Sequence, residues 1–352
     1  MPTLPLLLFL VPTLVALGLL AIFLLYVAIR YSPIVGRIFE EQPLFLPLRV
    51  SPREGDGETV QFHTENGLKL EGTYLKARTT SRVGVLVYCH EFLSDRWSYA
   101  PYIDHLRDQG FDIFTFDFRN HGKSERDSVY KPLQWVTNHE KADLKAALAY
   151  LRSRPDRDEA GYGLFGVSRG GGSALVVAAD DPLVWGVMTD GAFPTRGTML
   201  AYTLRWAEIY VGSPVVWRRM PLWMFAYVAW SGRIRSQGKL NCRFSNVERA
   251  AARLSPRPWL MIHGGKDAYI GPEIARRLFA EASEPKELWI VPGAKHNRCR
   301  QTHPEQYMER VGAFLEIAAP RRPDSIGVPN GDSAAKIVAP KTEQKATASG
   351  VA

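Results

Sequence analysis

The sequence predicts an α/β protein: a mainly parallel sheet covered by helices on both faces, a helical insertion late in the sheet, and a membrane-spanning helix at the N-terminus. Three observations predict it. From residue 83 onward, short continuous apolar runs alternate with segments of helical period, as expected for strands buried on both faces. The stretch LPLLLFLVPTLVALGLLAIFLLYVA, Leu4 to Ala28, contains no charged residue. And LFGVSRGGGSA, Leu164 to Ala174, sets one serine among glycines just after an apolar run.

The chain has 352 residues, 46% hydrophobic and 23% charged, which excludes a disordered or fibrous class for its body. Its net charge of +8 is diffuse. No basic run is interleaved with aromatics, so a nucleic-acid groove is not expected, and a weak attraction to anionic membrane surfaces is. Cys89, Cys242 and Cys299 are widely spaced and odd in number, which points to neither a disulfide framework nor a zinc site. No metal or organic cofactor is implied.

The uncharged N-terminal stretch would form a helix of roughly 37 Å, enough to cross a bilayer with some tilt. A cleaved signal peptide fits less well, because the segment before it, MPT, lacks Lys and Arg and the apolar run exceeds the usual length. Residues 1–30 are therefore expected to be an anchor and residues 31–57 a juxtamembrane segment. Arg30 and Arg37 follow the span, and the positive-inside rule then places the body of the protein in the cytoplasm.

Residues 58–318 carry the predicted domain. Two strands flank Glu65-Asn66-Gly67, where Asn-Gly supplies a tight hairpin turn. Strands follow at 83–89, 111–118, 161–167, 184–190, 258–264 and 286–293. Helices are expected at 99–110, 132–154, 169–179, near 272–282 and near 303–318. Residues 191–257 interrupt the alternation as a helical cap insertion bearing Tyr202, Trp206, Tyr210, Trp217, Trp223, Tyr227 and Trp230. Those aromatics suit the insertion's own core, a lid over an acyl-binding cavity, or a surface resting at the membrane interface. From residue 319 the chain is rich in Pro, Gly, Ser, Ala and Lys without aromatics, and a disordered tail is expected.

The glycine-bounded serine admits a phosphate loop, a raised nucleophile or a plain turn. Gly161 to Gly166 matches G-x-G-x-x-G, but its glycines lie within the strand and RSRPDRDEA precedes it, so the dinucleotide context is missing. Gly166-Val167-Ser168-Arg169-Gly170 matches G-x-S-x-G between a strand and a helix-compatible run. Glycines there let strand and helix pack closely around a sharp turn, and Ser168 stands at a helix N-terminus that favours developing negative charge. A serine hydroxyl needs a base, and the base a carboxylate. Asp267 follows the strand ending in WLMIHGG, and His296 follows the last strand, both in loops at strand carboxyl ends. Asp190, at the end of VWGVMTD, is the alternative acid.

Residues 58 to 318 resemble the α/β-hydrolase superfamily in its serine esterase, lipase and peptidase-like branches. The resemblance rests on the elbow, on DFRNHGKS (117–124) as the D-x-R-x-H-G-x-S loop, on the acid-bearing loop IHGGKDAYI, on PGAKH, and on the order Ser, Asp, His. It implies that Ser168 attacks an acyl carbonyl, His296 acts as general base and then acid, and Asp267 holds the imidazolium. It implies an oxyanion hole from the backbone N–H groups of Phe92 and Arg169. The expected substrate is a carboxylic ester, with thioester or amide as the lesser alternatives and lipids and other acylated molecules in scope. One departure stands out. Where the family commonly has His-Gly after its third strand, this chain has His90-Glu91. Glu91 leaves two readings open, a modified working hole or a catalytically silent binding or scaffold protein at the membrane. Arg169 is expected to be an exposed, solvated side chain, with binding of an anionic substrate group as the alternative.

Overall fold

The alternation of apolar runs and amphipathic segments becomes a single eight-stranded sheet in the computed structural model, which describes residues 3–42, 47, 49–210 and 218–320. The predicted tail from Arg321 and Trp217 of the insertion lie outside the described residues.

Strands β1 (Glu58–His63) and β2 (Lys69–Leu75) form the predicted antiparallel hairpin. Only Gly67 of its turn takes a positive φ, 82°. The strands β3 (Gly84–Cys89), β4 (Phe111–Phe116), β5 (Tyr162–Val167), β6 (Val184–Asp190), β7 (Trp259–Gly264) and β8 (Lys286–Val291) follow. The order across the sheet is β1-β2-β4-β3-β5-β6-β7-β8, antiparallel at β1-β2 and β2-β4 and parallel elsewhere. Chain order reverses around β3, so the loops after β3 and β5 meet at the carboxyl end of the sheet. Strands β3, β4, β5 and β7 are buried at every position, which explains why they read as unbroken apolar runs.

The predicted helix at 99–110 is instead broken. A 3₁₀ turn, the short helix α2 (Ala100–Ile103) and a second 3₁₀ turn lead to Gly110, which ends it at φ 91°. Helix α3 (Asn138–Ser153) starts six residues later than predicted. Thr137 and Glu140 form a reciprocal capping box there, and this local signal outweighs the apolar pattern of Pro132–Val136. Helix α4 (Arg169–Ala178) follows β5 directly. Between β6 and β7 the described residues hold α5 (Thr195–Tyr210), α6 (Leu222–Lys239) and α7 (Val247–Ala252). The chain closes with α8 (Pro272–Glu281), α9 (Cys299–Thr302) and α10 (Pro304–Ala318).

The N-terminal helix α1 spans Thr3–Glu40, so it continues past Arg30 into the first part of the juxtamembrane segment, with Pro33 inside the helix. From Phe9 it is long and apolar enough to cross a membrane, with mean hydropathy 2.6. Its first two-thirds expose Phe9, Leu14, Leu19, Ile22 and Ile29. Its last turns do not. Val35 and Phe39 are fully buried in a cluster with Trp135, whose indole N–H donates to the Phe39 carbonyl at 2.8 Å. Helix α6 runs alongside in the same direction. Tyr227 Oη donates to the Leu24 carbonyl at 3.1 Å, Ser236 Oγ to the Gly36 carbonyl at 3.2 Å, and Lys239 pairs with Glu40 at 2.5 Å. Gly36 and Gly232 permit this approach, since a Cβ on Gly232 would come within 3.0 Å of Val35.

Candidate active site

Ser168 sits between β5 and α4 with φ 52° and ψ −116°, a conformation that costs a non-glycine residue about 1–3 kcal/mol. The surroundings enforce it. Ser168 N–H donates to the Asp190 carbonyl at 2.7 Å, and a Cβ on Gly170 would overlap the Cys89 carbonyl. A Cβ on Gly166 would overlap the Gly170 backbone, so both motif glycines answer to main-chain contacts.

Ser168 Oγ lies 3.0 Å from His296 Nε2, and His296 Nδ1 lies 2.6 Å from Asp267 Oδ2. The carboxylate can only accept, so Nδ1 carries the proton and Nε2 is left to accept from the serine hydroxyl. All three residues are buried or nearly so. The other oxygen of Asp267 accepts the amides of Tyr269 and Ile270, each at 2.9 Å. Burial alone would raise the Asp267 pKa. The His296 hydrogen bond and charge, His263 and the Ile270 amide outweigh it and hold the carboxyl below its usual range.

Asp190, the alternative acid, is fully buried and accepts from Tyr307 Oη at 3.1 Å rather than from His296. Burial pushes its pKa up to about 6, against the lowering effect of Cys299, Tyr307 and His296. His263 donates from Nε2 to the Ile270 carbonyl at 2.9 Å, behind Asp267, and burial lowers its pKa.

Phe92 and Arg169 come together at the other side of the serine. The close approach of Gly170 to the Cys89 and His90 carbonyls brings the loop after β3 against the first turn of α4. The hydrogen bonds of the described residues include no acceptor for either the Phe92 or the Arg169 amide. The Arg169 side chain, expected to be solvated, is fully buried. Its guanidinium stacks 5.2 Å from the Phe92 ring, donates to the Leu133 carbonyl at 3.2 Å and pairs with Glu140 at 3.4 Å. It also donates to His121 Nε2 at 3.2 Å. The sequence signal for this burial lay in the small residues after Ser168, which sink the start of α4 beneath the surface.

His90 is buried with Nδ1 donating to the Glu91 carbonyl at 2.7 Å and Nε2 accepting the Phe118 amide at 3.1 Å. Burial, then the charge of Arg169, lowers its pKa to about 3, so it is a neutral brace of this loop. Glu91 is fully buried, and its Oε2 lies 3.3 Å from Ser98 Oγ, beside Tyr88. The 117–124 loop is structural. Asp117 pairs with buried Arg96, and Arg119 pairs with Asp143 at 2.6 Å. All three cysteines are free and buried. Among the described residues no cluster of His, Cys, Asp and Glu is arranged to hold a metal.

A strand-turn-helix serine at the carboxyl end of a mainly parallel, eight-stranded sheet defines an enzyme-like α/β class. The Alpha/beta hydrolase family model matches residues 87–310, more than half of the chain, and the protein belongs to that family. It is 24% identical over 270 residues to uncharacterized protein YfhR of Escherichia coli K12, covering 75% of this chain and 82% of that one. It is 25% identical over 263 residues to uncharacterized protein Rv2307c of Mycobacterium tuberculosis H37Rv, covering 75% and 80%. Among solved structures it is similar in fold to the Pyrococcus furiosus esterase Pf2001, with TM-score 0.59 and 23% identity over 80% of this chain and 100% of that one.

Proposed function

We propose that this protein is a membrane-anchored serine hydrolase that cleaves carboxylic esters. The observation that carries the reading is the relay from Ser168 Oγ through His296 to Asp267, at 3.0 and 2.6 Å. His296 Nε2 takes the serine proton as Oγ bonds to the acyl carbon. The resulting oxyanion is received by the Phe92 and Arg169 amides, at the N-terminus of α4. The C–O bond to the leaving alcohol breaks as His296 returns the proton to that oxygen. A water, deprotonated by His296, then attacks the acyl-enzyme, and the carboxylate leaves with Ser168 restored. Asp267 keeps Nδ1 protonated and balances the imidazolium. Glu91 is compatible with this hole because its carboxylate reaches Ser98, which supports the working-enzyme reading over a silent scaffold.

The exposed apolar residues of α1 support the anchor, and Arg30 and Arg37 support a cytoplasmic domain. An apolar cavity of about 270 Å³ opens between α1, α5 and α6, walled by Phe23, Val27, Trp206, Ala207, Met224 and Val228. A substrate with an acyl chain drawn from the bilayer suits that wall. Labelling with a fluorophosphonate tests the catalytic reading: wild-type protein should take one label and Ser168→Ala none. A folded wild-type protein that resists labelling would sink it.

A further inference from the structure

Helices α5 and α6 pack against each other in opposite directions. Arg196 and Met199 near the start of α5 share a cleft with Ala229 and Arg233 late in α6, whereas Thr203 and Ala207 share the α1-side cavity with Met224 and Val228. The cleft, about 440 Å³, lies on the opposite face of α6. Helix α6 supplies Ala226, Ala229, Trp230 and Arg233, spaced as i, i+3, i+4 and i+7, so they form one stripe.

The stripe is graded along the helix axis. Gly232 meets Val35 and Gly36, beyond Arg30, so Ala226, about 9 Å back along α6, is level with roughly residue 30 of α1, while the Tyr227 hydroxyl reaches on to Leu24 inside the uncharged part. Ala226 therefore lies at the end of the apolar span, half-exposed Trp230 about one turn beyond it, and Arg233 with Arg196 about a further turn out. Neither guanidinium has a carboxylate partner among the described residues. Glu248, the acid whose charge reaches Arg233, is occupied by the backbone amides of Thr195, Arg196 and Gly197 at 3.2, 2.7 and 2.9 Å. Burial, and then the like charge of Arg196, lowers the pKa of Arg233, with Glu248 opposing. Two converging cations over an apolar floor call for an anionic head attached to an apolar tail.

We infer that the α5–α6 cleft binds a bilayer phospholipid with an anionic headgroup, the headgroup between Arg196 and Arg233 and a chain along Met199, Ala229 and Trp230. The inference rests on the reading of α1 as a membrane span. Docking of this lipid would hold the insertion, and with it Tyr202 and Tyr269 beside His296, against the membrane surface.

Native mass spectrometry of the full-length protein in detergent, titrated with phosphatidylglycerol or phosphatidylcholine, tests the cleft. An arginine near an anionic lipid is worth about fivefold in affinity. Phosphatidylglycerol should bind several-fold more tightly than phosphatidylcholine, and the double variant Arg196→Gln/Arg233→Gln should weaken it about 25-fold. Arg235→Gln, an exposed arginine of the same helix outside the cleft, should leave it unchanged. If the double variant fails to melt cooperatively, Arg196→Gln alone should show about fivefold weakening. Equal binding of the two lipids by wild type, an equal loss in Arg235→Gln, or displacement by millimolar inorganic phosphate each overturns the assignment. Release of the protein by alkaline carbonate would overturn the span and the cleft's level with it. Absent fluorophosphonate labelling would remove the catalytic reading and leave the cleft standing.

Discussion

His296 Nδ1 lies 2.6 Å from Asp267 Oδ2, a contact made between two loops that leave neighbouring strands of the sheet. Asp190 ends the adjacent β6 but gives its side chain to Tyr307. The two carboxylates therefore have different partners, and the proposed triad takes Asp267 as its acid. Asp267→Asn should lower kcat for a soluble ester by about 10⁴-fold, because the wrong imidazole tautomer then faces Ser168. Asp190→Asn should change it by less than about tenfold. Steady-state hydrolysis of both variants decides it, and the reverse ranking would reassign the acid.

The proposed oxyanion hole is a main-chain device, so its test must remove an N–H rather than a side chain. Phe92→Pro should lose about 10²–10³ in kcat with KM little changed. Phe92→Ala keeps the amide and should lose much less. Similar losses in both would mean that the ring, packed on Arg169, is what matters.

Asp190 also links stability to pH. Its folded pKa of about 6 lies above the unfolded carboxylate value of about 3.9, so the folded state holds the extra proton between those pH values. Stability from this group is present in full below pH 4 and is lost as pH rises through 6. The loss is roughly 2–3 kcal/mol. Asp190→Asn should cancel it, so urea unfolding in detergent should show the variant gaining on wild type between pH 4 and pH 7. A constant difference across that range would refute the assignment.

Arg169 is a buried cation with Glu140 as its charged partner. Arg169→Met leaves that carboxylate buried without its cation, although Tyr130 and Thr137 still donate to it. A destabilisation of about 3–5 kcal/mol is expected. Arg169→Lys should rescue little, since a point charge cannot reach Leu133, Glu140 and His121 together. Chemical denaturation measures both. A solvated Arg169 would show a change near zero.

The apolar face of α1 predicts retention in the membrane pellet after alkaline carbonate extraction. Replacing Leu14, which is exposed in the middle of the uncharged stretch, by Arg should weaken that retention by about 2.5–3.5 kcal/mol on insertion scales. Recovery of the wild-type protein in the supernatant would remove the anchor.

What the residues determined by themselves was local. The apolar runs placed β3, β4, β5 and β7 to within about two residues, because burial on both faces leaves no polar alternation to confuse them. The glycines around Ser168 marked a strand-turn-helix junction, because only residues without Cβ atoms fit against the Cys89 and Gly170 backbone. Ser168, Asp267 and His296 each follow an apolar run, which put them at strand carboxyl ends. The 3₁₀ turns at 96–109 and the late start of α3 were illegible, since capping and turn geometry overrode the apolar period.

The tertiary structure decided what depends on partners far along the chain. It brought Ser168 to His296 across 128 residues and set Asp267 rather than Asp190 against that imidazole, two acids that look alike at strand ends. It turned Glu91 toward Ser98, buried Arg169 against Phe92, and laid α6 along α1 with 203 residues between the bonded Leu24 and Tyr227. Periodicity and turn chemistry report the surroundings of one element. Where a carboxylate or guanidinium points is set by the desolvation and hydrogen bonds that distant elements impose on it, and those exist only after the chain has packed.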